Sequence, residues 1–166
     1  MSVSLSALTG AMFLANPAHA EGYLFDGDFG LGTGIEGGDK GLGNYGFRRA
    51  RLHITTGLDL RDDESQSDAL GFRAFVELEK RGTLGGEVRY ERWLTRTVGA
   101  YGGLIGAVTP NTLFGGTVGM TIVMPFGKRA GLFLEPSFSA LPVGNDLPSS
   151  TPLVWVLFSV GLKLGM

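Results

Sequence analysis

Cysteine does not occur among the 166 residues. Its absence excludes a disulfide framework and any Cys-based metal or redox centre, so an exported form of this chain must draw its stability from the fold alone. Charge is also sparse, with Asp, Glu, Lys and Arg at 18% and a formal net charge of -2. No basic stripe is present, which removes the electrostatic case for nucleic acid. After Ala20 no run approaches the roughly 20 apolar residues that a membrane helix needs. The closing "VWVLFSVGLKLGM", Val154 to Met166, is too short and carries Lys163 inside it. A helical period is missing as well, so a membrane-inserted form of this chain would cross as strands.

What is present in excess is glycine, at 28 residues, far above the usual share of about 7%. The first 20 residues form a separate block. Met1 to Ala20 has no Asp, Glu, Lys or Arg, Val3 to Leu14 is mostly apolar, and "NPAHA" ends in the small-x-small pattern of Ala18 and Ala20. This reads as a secretory signal peptide cut after Ala20, leaving residues 21–166 as one domain. The block lacks a basic n-region, which leaves the start codon open; a buried N-terminal helix is the competing reading. Cleavage would remove His19 and leave His53 as the single histidine.

From Gly22 onward, alternating segments of about 9 to 14 residues recur between turn residues, as antiparallel strands require. Eight are expected: Tyr23–Ile35, Phe47–Leu60, Leu70–Lys80, Leu84–Arg92, Val98–Thr109, Leu113–Met124, Gly131–Leu141 and Val154–Met166. The fifth is so rich in Gly and Ala that its faces cannot be assigned. The eighth sets Val154, Val156, Phe158, Val160, Leu162, Leu164 and Met166 against Trp155, Leu157, Ser159, Gly161, Lys163 and Gly165.

Alternation is common to soluble and membrane barrels; the position of the charges separates them. In a soluble sheet the charged face meets water, whereas an outer-membrane barrel turns its apolar face to lipid and its polar face inward. The apolar faces of strands two, three, four and eight carry no charge in their middles. Arg48, Lys80 and Arg92 fall on them only at strand ends. The opposite faces gather Arg49, Arg51, Arg73, Arg89 and Lys163 with Asp59, Glu77, Glu79, Glu87 and Glu91, and Glu135 joins them from strand seven. An Arg facing lipid at mid-depth costs about 2–4 kcal/mol, and four strands avoid it in phase. A soluble lipocalin-like carrier of an apolar ligand would show the same alternation. It would, however, leave Trp155 and Leu157 on a solvent face, and no Gly-x-Trp stands near the first strand.

The "AHA" signal ending, the strands with charge on one face and the closing "VLFSVGLKLGM" carry a resemblance. The mature chain resembles the small eight-stranded outer-membrane β-barrels of Gram-negative bacteria, the OmpX and OmpA transmembrane-domain type. The resemblance implies an all-β, antiparallel, up-and-down transmembrane barrel in the bacterial outer membrane, among lipid and lipopolysaccharide and without a cofactor. It also implies a monomer whose last strand serves as the C-terminal assembly signal (Phe158, Val160, Leu162, Leu164 and Met166) recognised by the barrel-assembly machinery. Most family members end in Phe, where this chain has Met166.

Eight strands enclose a lumen about wide enough for side chains to fill. Arg49, Arg51, His53, Asp59, Arg73, Glu77, Glu79, Glu87, Arg89, Glu91, Glu135 and Lys163 are therefore expected to form an ion-paired plug that fixes strand register, with a narrow or gated pore as the alternative. "RLHITTG" places Thr55 on the face of His53, a pattern similar to the His-x-Ser of the lipid A deacylase PagL. Thr stands in place of Ser and the histidine has inward parity, so the expectation is a histidine bonded to lumen carboxylates and no enzymatic activity. Tyr23, Tyr90, Trp93, Tyr101 and Trp155 are candidates for an interfacial aromatic belt. With a periplasmic N-terminus, the surface loops would be Glu36–Gly46, Arg81–Thr83, Pro110–Thr112 and Pro142–Thr151.

Overall fold

A computed structural model describes residues 23–39, 45–62, 67–78, 82–126, 129–145, 147 and 151–165. The signal-peptide reading, Glu79, Lys80 and Met166 lie outside these residues. Eight antiparallel strands follow one another: β1 (Tyr23–Asp39), β2 (Tyr45–Asp62), β3 (Asp68–Glu77), β4 (Leu84–Trp93), β5 (Val98–Thr109), β6 (Leu113–Pro125), β7 (Ala130–Gly144) and β8 (Leu153–Leu164). Each pairs with its neighbours in sequence, and β8 closes on β1.

The register fixes the geometry of closure. Followed across paired residues, Gly27 meets Leu58, then Phe72, Val88, Leu104, Gly116, Ala140 and Val154. Val154 pairs with Gly37, so one circuit climbs ten residues along β1. That stagger tilts the strands by about 40° to the axis and gives a barrel that side chains can fill. The end bearing the start of β1 and the end of β8 is called the near end here, and the opposite one the far end.

Side-chain parity sorts the residues as expected, and the charged set lies inside. Large apolar side chains on the outer wall are 36% to 66% exposed, among them Leu58, Phe72, Val88, Leu104, Val118, Phe138 and Val160. Arg51, Arg89, Glu77, Asp59, Glu91 and Lys163 are 2% exposed or less. A soluble carrier needs the reverse, an oily pocket under a wet charged wall, and this arrangement rules it out. β5 is now assigned as well: Gly99, Tyr101, Ile105 and Ala107 point in, while Leu104 and Val108 point out.

The strand ends differ from the sequence expectation where side chains are small. β1 continues past Ile35 to Asp39 and β2 begins at Tyr45, so the hairpin occupies most of the segment expected as a loop. "EGGD" has almost no side chains to display a period of two, yet its backbone pairs as well as any. β7 likewise runs on to Gly144, whereas β3 stops at Glu77.

Lumenal glycines accommodate the large inward residues. A Cβ at Gly30 would lie 2.8 Å from Phe133 Cζ, and one at Gly161 would lie 2.7 Å from Cε1 of the same ring. Gly119 is similarly overlain by Tyr101. A narrow barrel can hold rings and guanidinium groups across its bore only where the facing wall gives up its side chain.

Candidate functional site

The lumen is filled in tiers. At the near end Lys163 Nζ contacts Asp59 Oδ2 and stands 4.0 Å from Glu91 Oε2. Beside it, Arg61 Nη2 lies 2.7 Å from Asp26 Oδ2. Trp93 covers this tier, with the Arg61 guanidinium 4.9 Å and Lys163 Nζ 5.5 Å from its ring. One step further in, Arg73 bridges Asp28 and Asp59, the latter at 3.4 Å. Arg89 Nη1 pairs with Glu135 Oε2 at 2.8 Å, lies 3.8 Å from Glu87, and rests 4.0 Å over the Tyr101 ring. The Tyr101 hydroxyl donates to Glu135 Oε1 at 3.1 Å.

Toward the far end Arg51 is the hub. It reaches Glu36 through Nη1 and Glu77 Oε2 at 2.7 Å through Nη2, and its Nε donates to His53 Nε2 at 3.1 Å. The Trp155 ring lies under the guanidinium at 3.7 Å, and its indole N–H donates to Glu36 Oε2 at 2.9 Å. His53 stacks on Phe75 at 5.1 Å. The other half of this tier is apolar: Ile105, Leu141, Leu153 and Leu157 pack with Phe75 and Trp155 in one cluster. A guanidinium buried here is tolerated because two carboxylates and a π face replace its water.

Eleven of the twelve candidate lumen residues are described and face inward; the twelfth is Glu79. Arg49 sits at the mouth with its side chain 32% exposed, 3.3 Å from Glu36 and 3.6 Å from Glu77. Several expectations need correction. His53 takes its hydrogen bond from Arg51 rather than pairing with a carboxylate. Trp155 and Tyr101 are 0% and 6% exposed, so neither belongs to an outer aromatic belt. Tyr90 does face outward and donates to Asp68. Arg48, assigned by parity to the apolar face, instead turns toward Glu36 at 3.7 Å. The cause is a β-bulge: Glu36 pairs with Arg49 and Gly37 with Phe47, leaving Arg48 as the extra residue.

Sequence reasoning missed Glu36 by placing it in a loop, and left Asp26 and Asp28 out of the network although their parity was right. All three are buried partners of Arg61, Arg73 and Arg51. The available signal was parity, since Asp26, Asp28 and Glu36 fall on one face of β1 once the strand is continued past Ile35. Among the described residues no three His, Asp or Glu side chains are grouped to hold a metal ion.

At the far-end mouth the network leaves a cavity of about 200 Å³. Arg48, Arg49 and Arg51 bound it together with Glu36, Thr83 and Leu153.

No protein-family model and no curated protein sequence matches the chain. Among solved structures it is similar to Neisserial surface protein A, with a TM-score of 0.52 and 12% identity over 88% of this chain and 100% of that one. The fold is that of a small outer-membrane β-barrel. A second similar structure is the CymD monoaromatic hydrocarbon channel, with a TM-score of 0.34 and 10% identity over 87% of this chain and 46% of that one.

Proposed function

We propose that the protein is an integral component of a bacterial outer membrane, structural or surface-exposed in role, with a lumen closed by its own side chains and without enzymatic activity. One observation carries this reading: a band of exposed apolar side chains encircles the wall while the ionic residues are buried at the centre. Soluble monomers rarely expose apolar patches beyond a few hundred Å²; a bilayer core accepts such a band at no cost. Lipid and lipopolysaccharide are then its surroundings, the far end faces outward, and the alternating face of β8 is the segment offered to the barrel-assembly machinery.

Closure follows from the tiers. Arg51 with Trp155, and Arg89 with Tyr101, span the bore, and moving either would strand buried carboxylates. His53 is walled in by Phe75 and Trp155 with its Nε2 engaged by Arg51, which argues against use as a general base. Two measurements test the proposal. The purified protein is expected to partition into detergent with heat-modifiable gel mobility, and to give no steady conductance in planar bilayers. A large steady conductance would replace the closed plug with a pore. Lipid A deacylation that disappears in His53→Ala would establish an enzyme instead.

A further inference from the structure

Two carboxylates in the middle of the lumen share one guanidinium. Arg89 Nη1 lies 2.8 Å from Glu135 Oε2 and 3.8 Å from Glu87 Oε1. We infer that this pair of acids keeps one proton, held on Glu87, and that the proton is a pH-sensitive latch on the plug. The inference goes beyond the proposed role and depends on the geometry of the lumen alone.

The contacts of the two acids decide which one holds the proton. Glu135 has the guanidinium close by, and its oxygens accept the Tyr101 hydroxyl at 3.1 Å and the Thr121 hydroxyl at 3.4 Å. Two donors and a close cation suit an ionised carboxylate away from water. Glu87 lacks both: its Oε1 is buried without a hydrogen-bond partner, and among the described residues Arg89 is the one cation within 4.0 Å. Arg73 stands across the ladder from Glu87, but its guanidinium turns to Asp28 and Asp59. No other strand supplies a second counter-charge. Asp28 of β1, Tyr101 of β5 and Glu135 of β7 face Glu87, and Ile105 is its ladder partner on β5. Asp59 of β2 lies behind Arg73, Thr121 of β6 serves Glu135, and Lys163 of β8 serves Asp59 and Glu91.

An ionised Glu87 would set two negative charges about one Arg89; a proton on Glu87 removes that conflict, and the pair then titrates as a unit. The Glu87 side chain keeps 12% of its surface accessible, so water can reach it to exchange the proton. In the unfolded chain Glu87 ionises above about pH 4. The folded chain therefore binds more protons than the unfolded one, and its stability falls as pH rises. Loss of the proton makes Glu87 compete with Glu135 for Arg89, which lies across the bore on Tyr101, and so loosens the middle of the plug.

Infrared difference spectra of the protein in detergent micelles, taken between about pH 5 and about pH 9, read the proton directly. A protonated-carboxyl C=O band that disappears on raising the pH is expected in the wild type. It should be absent from Glu87→Gln and retained in Glu91→Gln. Over the same range the urea midpoint of the wild type should fall, and most of that fall should vanish in Glu87→Gln. At the acidic end the two proteins should have equal midpoints. Absence of the band from the wild type, or its persistence in Glu87→Gln, would overturn the inference. So would a Glu87→Gln protein that fails to fold or is destabilised at every pH, because Arg89 would then need Glu87 as an ion.

Discussion

At Arg51 the requirements of a filled barrel meet in one side chain. It is fully buried, pairs with two carboxylates, donates to a histidine and lies on an indole. Removing it leaves Glu36 and Glu77 charged and buried, with Arg48, Arg49 and the Trp155 indole N–H as their remaining partners among the described residues. Breaking one half of such a buried pair costs about 3–5 kcal/mol. Arg51→Ala should therefore lower the denaturant midpoint sharply without adding conductance. An unchanged midpoint would mean that water, not Arg51, satisfies those acids. A residue-scale test of packing is Gly30→Ala, whose new methyl group meets the Phe133 ring from across β8. Overpacking of this kind costs about 1–3 kcal/mol. In a double-mutant cycle Phe133→Leu should recover part of that cost; strict additivity would contradict the close approach.

At the scale of the strand, β8 shows how one segment serves two environments. Phe158, Val160, Leu162 and Leu164 are 44% to 56% exposed, while Trp155, Leu157, Ser159 and Lys163 are buried. Val160→Arg should cost about 2–4 kcal/mol in phospholipid vesicles, against at most about 0.5 kcal/mol for an ordinary solvated surface site. Unfolding titrations in vesicles decide between the two. β8, β2 and β3 could be read from sequence because large residues mark both faces. β5 could not, because Gly and Ala alternate without contrast, and its lumenal Tyr101 was read as interfacial. Arg48 was misplaced because a bulge inserts a residue without any signal in the period of two, and Glu36 because the glycines after it hide the continuation of β1. The charged lumen was largely visible because ionic residues in a narrow barrel must share one parity. Which acid meets which base depends on the circuit of ten residues, which no single strand reveals.

At the scale of the whole molecule, the lumen is electrically uneven. Among the described residues, Asp26, Asp28, Asp59, Glu87, Glu91 and Glu135 face Arg61, Arg73, Arg89 and Lys163 around the near end and the middle, while Arg48, Arg49 and Arg51 gather about Glu36 and Glu77 toward the far end. Everything else depends on the inversion of the usual protein plan, with hydrocarbon outside and ions at the axis. Fluorescence quenching by phospholipids brominated along their acyl chains tests that inversion most directly. Val160→Trp, made with both native tryptophans replaced by Phe, should be strongly quenched in vesicles, while Trp155 in the Trp93→Phe protein should be untouched. Quenching of Trp155 with Val160→Trp unaffected would contradict the account.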